Sequence, residues 1–188
     1  AEQFRYLLAL SGARLDLMHF THFNAPVFYR RPSIVTIHDL TLYFFPGKKM
    51  NSAFYRAAYN WVLKSAVRNA KTVIAVSENT KADLIEITHT SPFKVEVIYE
   101  GVGEEFGPRG NKDEQEEVHK KYNITKEFLL YTGVWRGHKN LVNMIRAFAL
   151  IRDGAEGFDL QLVITGEEDP YYPEVKRTVK ELGLEHHV

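Results

Sequence analysis

Cysteine is absent from this chain of 188 residues, which excludes disulfides and thiolate metal sites within it. That absence agrees with a reducing, cytosolic compartment. No window reaches the roughly 20 consecutive apolar residues of a membrane span. The run from Phe4 to Leu10 is too short, and wrongly flanked, for a signal peptide. Net charge is also missing, at +0, and this argues against a general nucleic-acid binder. The balance hides a local absence, because no acid occurs between Leu40 and Ser77, where Lys48, Lys49, Arg56, Lys64, Arg68 and Lys71 lie. Acids crowd instead into the segment from Glu100 to Glu117, so the two regions face different surroundings. Neither G-x-x-x-x-G-K-[ST] nor G-x-G-x-x-G follows any strand, which removes the P-loop and the dinucleotide fingerprint.

What is present is an alternation of short β-branched runs with helical patterns. The runs at 15–20, 33–38, 72–77, 95–99, 128–132 and 160–165 read as strands, and 51–69, 78–89, 113–122, 139–152 and 171–182 as helices. Such alternation predicts an α/β fold with mostly parallel sheets. Near-continuous apolarity in Thr72–Val76 and Leu160–Ile164 predicts strands covered on both faces by helices. In the helix from Asn51, the spacing of Phe54, Ala57, Ala58, Trp61, Val62 and Ser65 predicts the face that packs on the sheet. Tyr59, Leu63 and Val67 would then stand on the opposite face with Arg56, Asn60 and Lys64. Ser77 and Asn140 are placed to cap the helices that follow them.

Between Gly101 and Lys126 the signals change to Gly103, Gly107, Pro108, Gly110 and a charged helix with acids first and lysines last. That order complements the helix dipole and lets an exposed helix persist. The predicted organisation is therefore a first domain over 1–104, a linker segment over 105–126 and the start of a second domain over 127–188.

The most informative stretch is Leu129-Leu130-Tyr131-Thr132-Gly133-Val134-Trp135-Arg136-Gly137-His138-Lys139-Asn140-Leu141. An apolar strand ends in glycine and re-enters a helix through Arg136, His138 and Lys139. Gly133 and Gly137 allow close backbone approach, and the helix predicted from about Asn140 points N–H groups back at the turn. This reads as a cradle for an anion.

The pattern resembles the donor-diphosphate loop of retaining glycosyltransferases of family 4, which have the GT-B fold. In that family a glycine closes the first strand of the C-terminal domain, and a lysine followed by Asn or Gly stands six positions later. Here those residues are Gly133, Lys139 and Asn140. Asp16–Phe20, Pro32–Leu40, Val73–Glu78, Val97–Val102 and Leu162–Gly166 resemble, in the same order, successive strand ends of the family, so the likeness covers nearly the whole chain. It implies two Rossmann-like parallel-sheet domains, the later half of an acceptor domain and the first part of a donor domain, both incomplete. The chain lacks an initial methionine and ends at Leu184-Glu185-His186-His187-Val188, and both ends read as cut points. Measured against the family, a glycine-rich first strand and a pair of glutamates eight positions apart would lie outside it.

The implied activity moves a sugar, with mannose mildly preferred, from a GDP- or UDP-linked donor to a saccharide or lipid-linked acceptor hydroxyl with retention. No further cofactor and no metal are expected, and the site residues are His38, Gly133, Arg136, His138, Lys139 and Gly166. His38 ends a strand. Read by itself it is a histidine hydrogen-bonded locally, whereas the resemblance makes it a cleft-facing residue against the sugar and donor phosphate. Lys139 begins a helix, where the dipole disfavours a cation unless an anion binds there. The family often carries arginine directly after the glycine. Val134 stands there, which leaves Arg136 or His138 as the substitute, each with simple exposure as its alternative. Glu167-Glu168-Asp169 would repel a diphosphate and are expected to turn to solvent, with Gly166 alone near the nucleotide. Glu100 replaces the family's usual asparagine. His38 and Asp39 with His19 and His22 leave open a metal-dependent hydrolase, and a non-catalytic interaction module that keeps the fold is the other alternative. Tyr43, Phe44, Phe45, Lys48, Lys49 and the helix to Lys71 either bury their aromatics in the core or form a peripheral contact with anionic lipid, at a cytoplasmic membrane face.

Overall fold

The computed structural model of the chain describes residues 2–46, 52–107, 111–154 and 159–188. Lys48, Lys49, Asn51, Pro108 and Gly110, named above, lie outside the described residues. The chain divides into two compact units, Ala1–Phe106 and Gly107–Val188.

The first unit opens with helix α1 (Glu2–Gly12), for which the sequence pattern provided no expectation. Phe4 and Leu8 on it are exposed, so its apolar residues do not form one clean stripe. It is tied down by polar contacts, since Gln3 Oε1 accepts from the Val27 N–H at 2.9 Å. Arg31 donates to the Ser11 and Ala13 carbonyls at its far end. Strands β1 (Met18–Phe20), β2 (Ser33–Ile37), β3 (Thr72–Ala75) and β4 (Val95–Val97) form one sheet in that order, all neighbours parallel. Between them run the short α2 (Thr41–Phe44), the long α3 (Ala53–Asn69) and α4 (Glu78–Thr88). As predicted, the Ser77 hydroxyl caps α4, accepting from the Thr80 N–H at 3.1 Å.

The core of this unit gathers Val35, Ile37, Val73, Ala75 and Val95 from the strands with Leu63, Ala66, Val67 and Leu84 from the helices. Each such Val, Leu or Ile removed from water stabilises by about 1.5–3 kcal/mol before entropy is counted. The face of α3 that packs is not the expected one. Leu63 is 0% and Val67 2% exposed, whereas Phe54 and Trp61 stand 76% and 55% exposed. Both faces carry apolar residues, and the one that packs is centred on Leu63, Ala66 and Val67, with Tyr59 and Val62 packed beside them.

In the second unit α5 (Lys112–Lys121), β5 (Glu127–Tyr131), α6 (Leu141–Asp153), β6 (Leu160–Ile164) and α7 (Glu174–Glu181) follow one another, with β5 and β6 paired in parallel. Helix α5 has no buried residue, opens on Asp113 and Glu114 and closes on His119, Lys120 and Lys121, as the dipole argument requires. Leu141, Ile145 and Phe148 of α6 pack with Leu162 and Val175 into a separate core. In β6 only Leu162 is buried and its neighbours are half-buried, and Leu129 and Leu130 of β5 are exposed, so helices do not enclose this sheet on both faces among the described residues.

Candidate functional site

In the first unit the carboxyl ends of the strands bring together residues far apart in sequence. His38 follows β2, and its Nε2 lies 2.9 Å from the Thr21 carbonyl oxygen at the end of β1. Its Nδ1 lies 2.7 Å from Glu100 Oε1, beyond the end of β4. Thr80, in the first turn of α4, donates its hydroxyl to the His38 carbonyl at 3.3 Å. The hydrogen bond to Glu100, then that to Thr21, raise the His38 pKa above its ordinary value, outweighing partial burial. The ring is thus bonded at both nitrogens and remains partly open to solvent, with its side chain 45% exposed.

Asp39 sits beside it. Partial burial would raise its pKa, but hydrogen bonds from Thr41, with His22 and His38 nearby, outweigh that and hold it low. The backbone contribution is the Thr41 N–H, donating to Asp39 Oδ1 at 2.7 Å. Tyr59 reaches this corner from α3, and burial together with the Asp39 charge pushes its phenol up to about 12. A sequence reading that placed Tyr59 on the outer face could not connect it to Asp39. A cavity of about 200 Å³ adjoins Thr21 and is lined by Gln3, Tyr6, His19, Phe20, His22 and Asn24. His19 Nε2 is bonded to Thr36 Oγ1 at 2.8 Å, and His22 Nδ1 accepts from the Asn24 N–H at 3.3 Å. No group of three or more His, Cys, Asp or Glu able to hold a metal ion occurs among the described residues.

In the second unit, β5 runs into Gly133, whose φ of 143° only glycine adopts readily. Gly166, after β6, has φ 110°, and a Cβ placed on it would run into the Gly133 carbonyl. The two strand ends thus approach backbone to backbone. Trp135 then turns into the unit's core and its N–H donates to the Glu167 carbonyl at 3.0 Å, which ties the two loops together. Its indole N–H is buried with no partner among the described residues. A short 3-10 turn, Gly137–Lys139, leads into α6.

Arg136 and Lys139 project from this turn, exposed, with no ion pair or side-chain hydrogen bond among the described residues. The three acids after Gly166 are engaged elsewhere or exposed: Glu168 pairs with Lys176 at 2.7 Å and Asp169 Oδ1 accepts from the Tyr171 N–H at 2.9 Å. Glu167 is exposed. Asn140 departs from expectation. It takes a left-handed conformation at φ 58° and its side chain caps nothing, because a residue so turned aims its amide away from the first N–H groups. Helix α6 accordingly begins at Leu141.

The aromatics proposed either for the core or for a peripheral surface are outside the core. Tyr43, Phe44 and Phe45 are between 44% and 59% exposed. The outward face of α3 carries Phe54, Ala57, Trp61, Lys64 and Arg68, an aromatic and basic stripe without an acid. No helix among the described residues is long and apolar enough to cross a membrane.

Comparison with known proteins agrees with this geometry. The profile of Glycosyltransferase Family 4 matches residues 1–106, more than half of the chain. The O-antigen chain mannosyltransferase RfbU of Salmonella typhimurium is 25% identical over 126 residues, which are 67% of this chain and 31% of that protein. Among solved structures, Anabaena Alr3699/HepE in complex with UDP-glucose superposes with a TM-score of 0.71 at 18% identity, over 97% of this chain and 50% of that one. WaaG, a glycosyltransferase involved in lipopolysaccharide biosynthesis, gives 0.66 at 16% identity over 98% and 50%. The chain thus spans about a third of the curated relative and half of these solved structures.

Proposed function

The chain belongs to glycosyltransferase family 4, with a fold of the GT-B type, and from that membership we propose that it serves transfer of a sugar from a nucleotide-diphosphate donor to an acceptor hydroxyl. The observation that carries this reading is the turn after β5. Arg136 and Lys139, exposed and without an ion pair among the described residues, follow Gly133 in the turn that leads into α6. A diphosphate supplies the missing anion. As the bond from the anomeric carbon to the donor phosphate breaks, charge grows on the departing diphosphate, and a fixed lysine and arginine stabilise that charge more than they stabilise the donor. His138 belongs to the same turn and Gly166 to the neighbouring strand end. His38 faces the transferred sugar. The acceptor hydroxyl attacks from the same face as the leaving group, which gives retention.

Mannose is the preferred sugar on the strength of the relative's name alone, and the base is GDP or UDP. The cavity beside Thr21, where the polar groups of Gln3, His19, His22 and Asn24 meet the rings of Tyr6 and Phe20, suits a saccharide acceptor or the sugar end of a lipid-linked one. The protein acts in the cytoplasm, touching anionic membrane through the outward stripe of α3.

Calorimetric titration of the protein with UDP and GDP against uridine and guanosine tests the reading. Diphosphates should bind at least tenfold more tightly than nucleosides, with the preference lost in Lys139→Ala. Equal affinities would leave only a non-catalytic module that keeps this fold.

A further inference from the structure

His38 is held between two acceptors. A backbone carbonyl can only accept, so the 2.9 Å contact with Thr21 requires a proton on Nε2. An ionised carboxylate likewise only accepts, so the 2.7 Å contact with Glu100 requires one on Nδ1. With Glu100 ionised, both contacts are satisfied together only when the ring is an imidazolium. We propose that Glu100 is the positioning residue of His38, fixing its ring orientation and keeping it cationic, so that His38 meets the donor as a charged ligand and not as a general base. This rests on the reading of His38 as a donor-facing residue.

The surroundings contain little that could do the same. The charged groups near the ring are Glu100 from the end of β4 and Asp39 next to it in the chain. Asp39 is already bound by Thr41, and His22 acts on Asp39. Thr21 from β1 and Thr80 from α4 are neutral. Glu100 is therefore the only carboxylate bonded to the ring among the described residues, and it stands where the family resemblance leads one to expect a neutral asparagine. An amide there could still accept a hydrogen bond, but it would supply no charge to hold the second proton.

The geometry also separates the two contacts by rigidity. The Thr21 carbonyl belongs to the backbone at the end of a sheet strand, whereas the Glu100 side chain is 64% exposed. An exposed pair of this kind contributes little to stability. Its effect falls on protonation and orientation.

The test is an NMR titration of the His38 ring in the ligand-free protein, for the native chain, Glu100→Gln and Glu100→Asp. The expected result is a lower His38 midpoint in Glu100→Gln than in the native chain, with Glu100→Asp in between. An unchanged midpoint in a folded Glu100→Gln protein would overturn the proposal and make Glu100 a solvated side chain. UDP and GDP affinity is then followed from pH 6 to pH 8. It should weaken as pH rises through the His38 midpoint, and do so at lower pH in Glu100→Gln. If the midpoint shifts between variants but nucleotide binding ignores it, the Glu100–His38 coupling stands and the donor-facing reading of His38 is what fails.

Discussion

Gly166 lies so close to the carbonyl of Gly133 that a single added methyl group would run into it. Both glycines follow a strand of the second unit with φ between 110° and 143°, where a side chain is strained. Gly166→Ala should therefore cost about 1–2 kcal/mol for the left-handed backbone alone, with the backbone clash added. Gly137→Ala, where an added Cβ meets nothing within 4 Å, is the control. Urea unfolding of the two variants compares them, and equal stability would mean that the close approach of the strand ends does not exist.

Lys139→Ala removes a cation with no ion pair among the described residues, so folding should be unaffected while donor affinity falls. Loss of one charge-assisted bond costs about 1.5–3 kcal/mol, or roughly tenfold to a hundredfold in Kd. Titration with UDP and GDP measures it, and Arg136→Ala should lose affinity in the same direction. A lysine variant that binds as tightly as the native chain removes the diphosphate from this turn.

The His38 pair predicts how stability follows pH. A histidine whose pKa is raised on folding contributes stability that is fully present below its unfolded value near 6.5 and disappears as pH climbs through the raised folded value. The difference in melting temperature between the native chain and Glu100→Gln should thus be largest below the unfolded value and shrink as pH rises through the folded His38 midpoint. A difference that grows with pH would contradict the sign of the coupling.

The two faces of α3 should respond oppositely to truncation. Leu63→Ala opens a cavity in the first unit's core and should cost about 2–5 kcal/mol. Phe54→Ala trims an exposed ring and should change stability by no more than about 0.5 kcal/mol. Chemical denaturation of both variants decides which face is inside.

The outward stripe of α3 should favour anionic over neutral vesicles in co-sedimentation, and less so at high salt. Removing Lys64 or Arg68 should weaken the binding by about fivefold each, on a scale of about 1 kcal/mol per basic residue near the surface. Trp61→Ala should weaken it further. Indifference to lipid charge would leave this face to a protein partner or to solvent.

Much of the fold could be read locally. The strands of the first unit stand where β-branched runs end in polar residues, and the Ser77 cap and the charge order of α5 follow from chemistry within one helical turn. Gly133, Arg136, His138 and Lys139 could be placed on one turn for the same reason, because they lie within seven positions of one another. Helix α1 escaped, since its exposed Phe4 and Leu8 blur any periodicity. The inner face of α3 was misread because both faces are apolar, and only the sheet chooses between them.

By itself the sequence determined the alternation of strands and helices, the bare cationic turn and the family likeness, all of which depend on residues near one another or on order along the chain. Tertiary structure alone decided that Glu100 reaches His38 across 62 positions. It also brought Tyr59 to Asp39 and set Gly166 against Gly133. Parallel strands bring their carboxyl ends side by side whatever the length of chain between them, so proximity there follows sheet order and not sequence spacing.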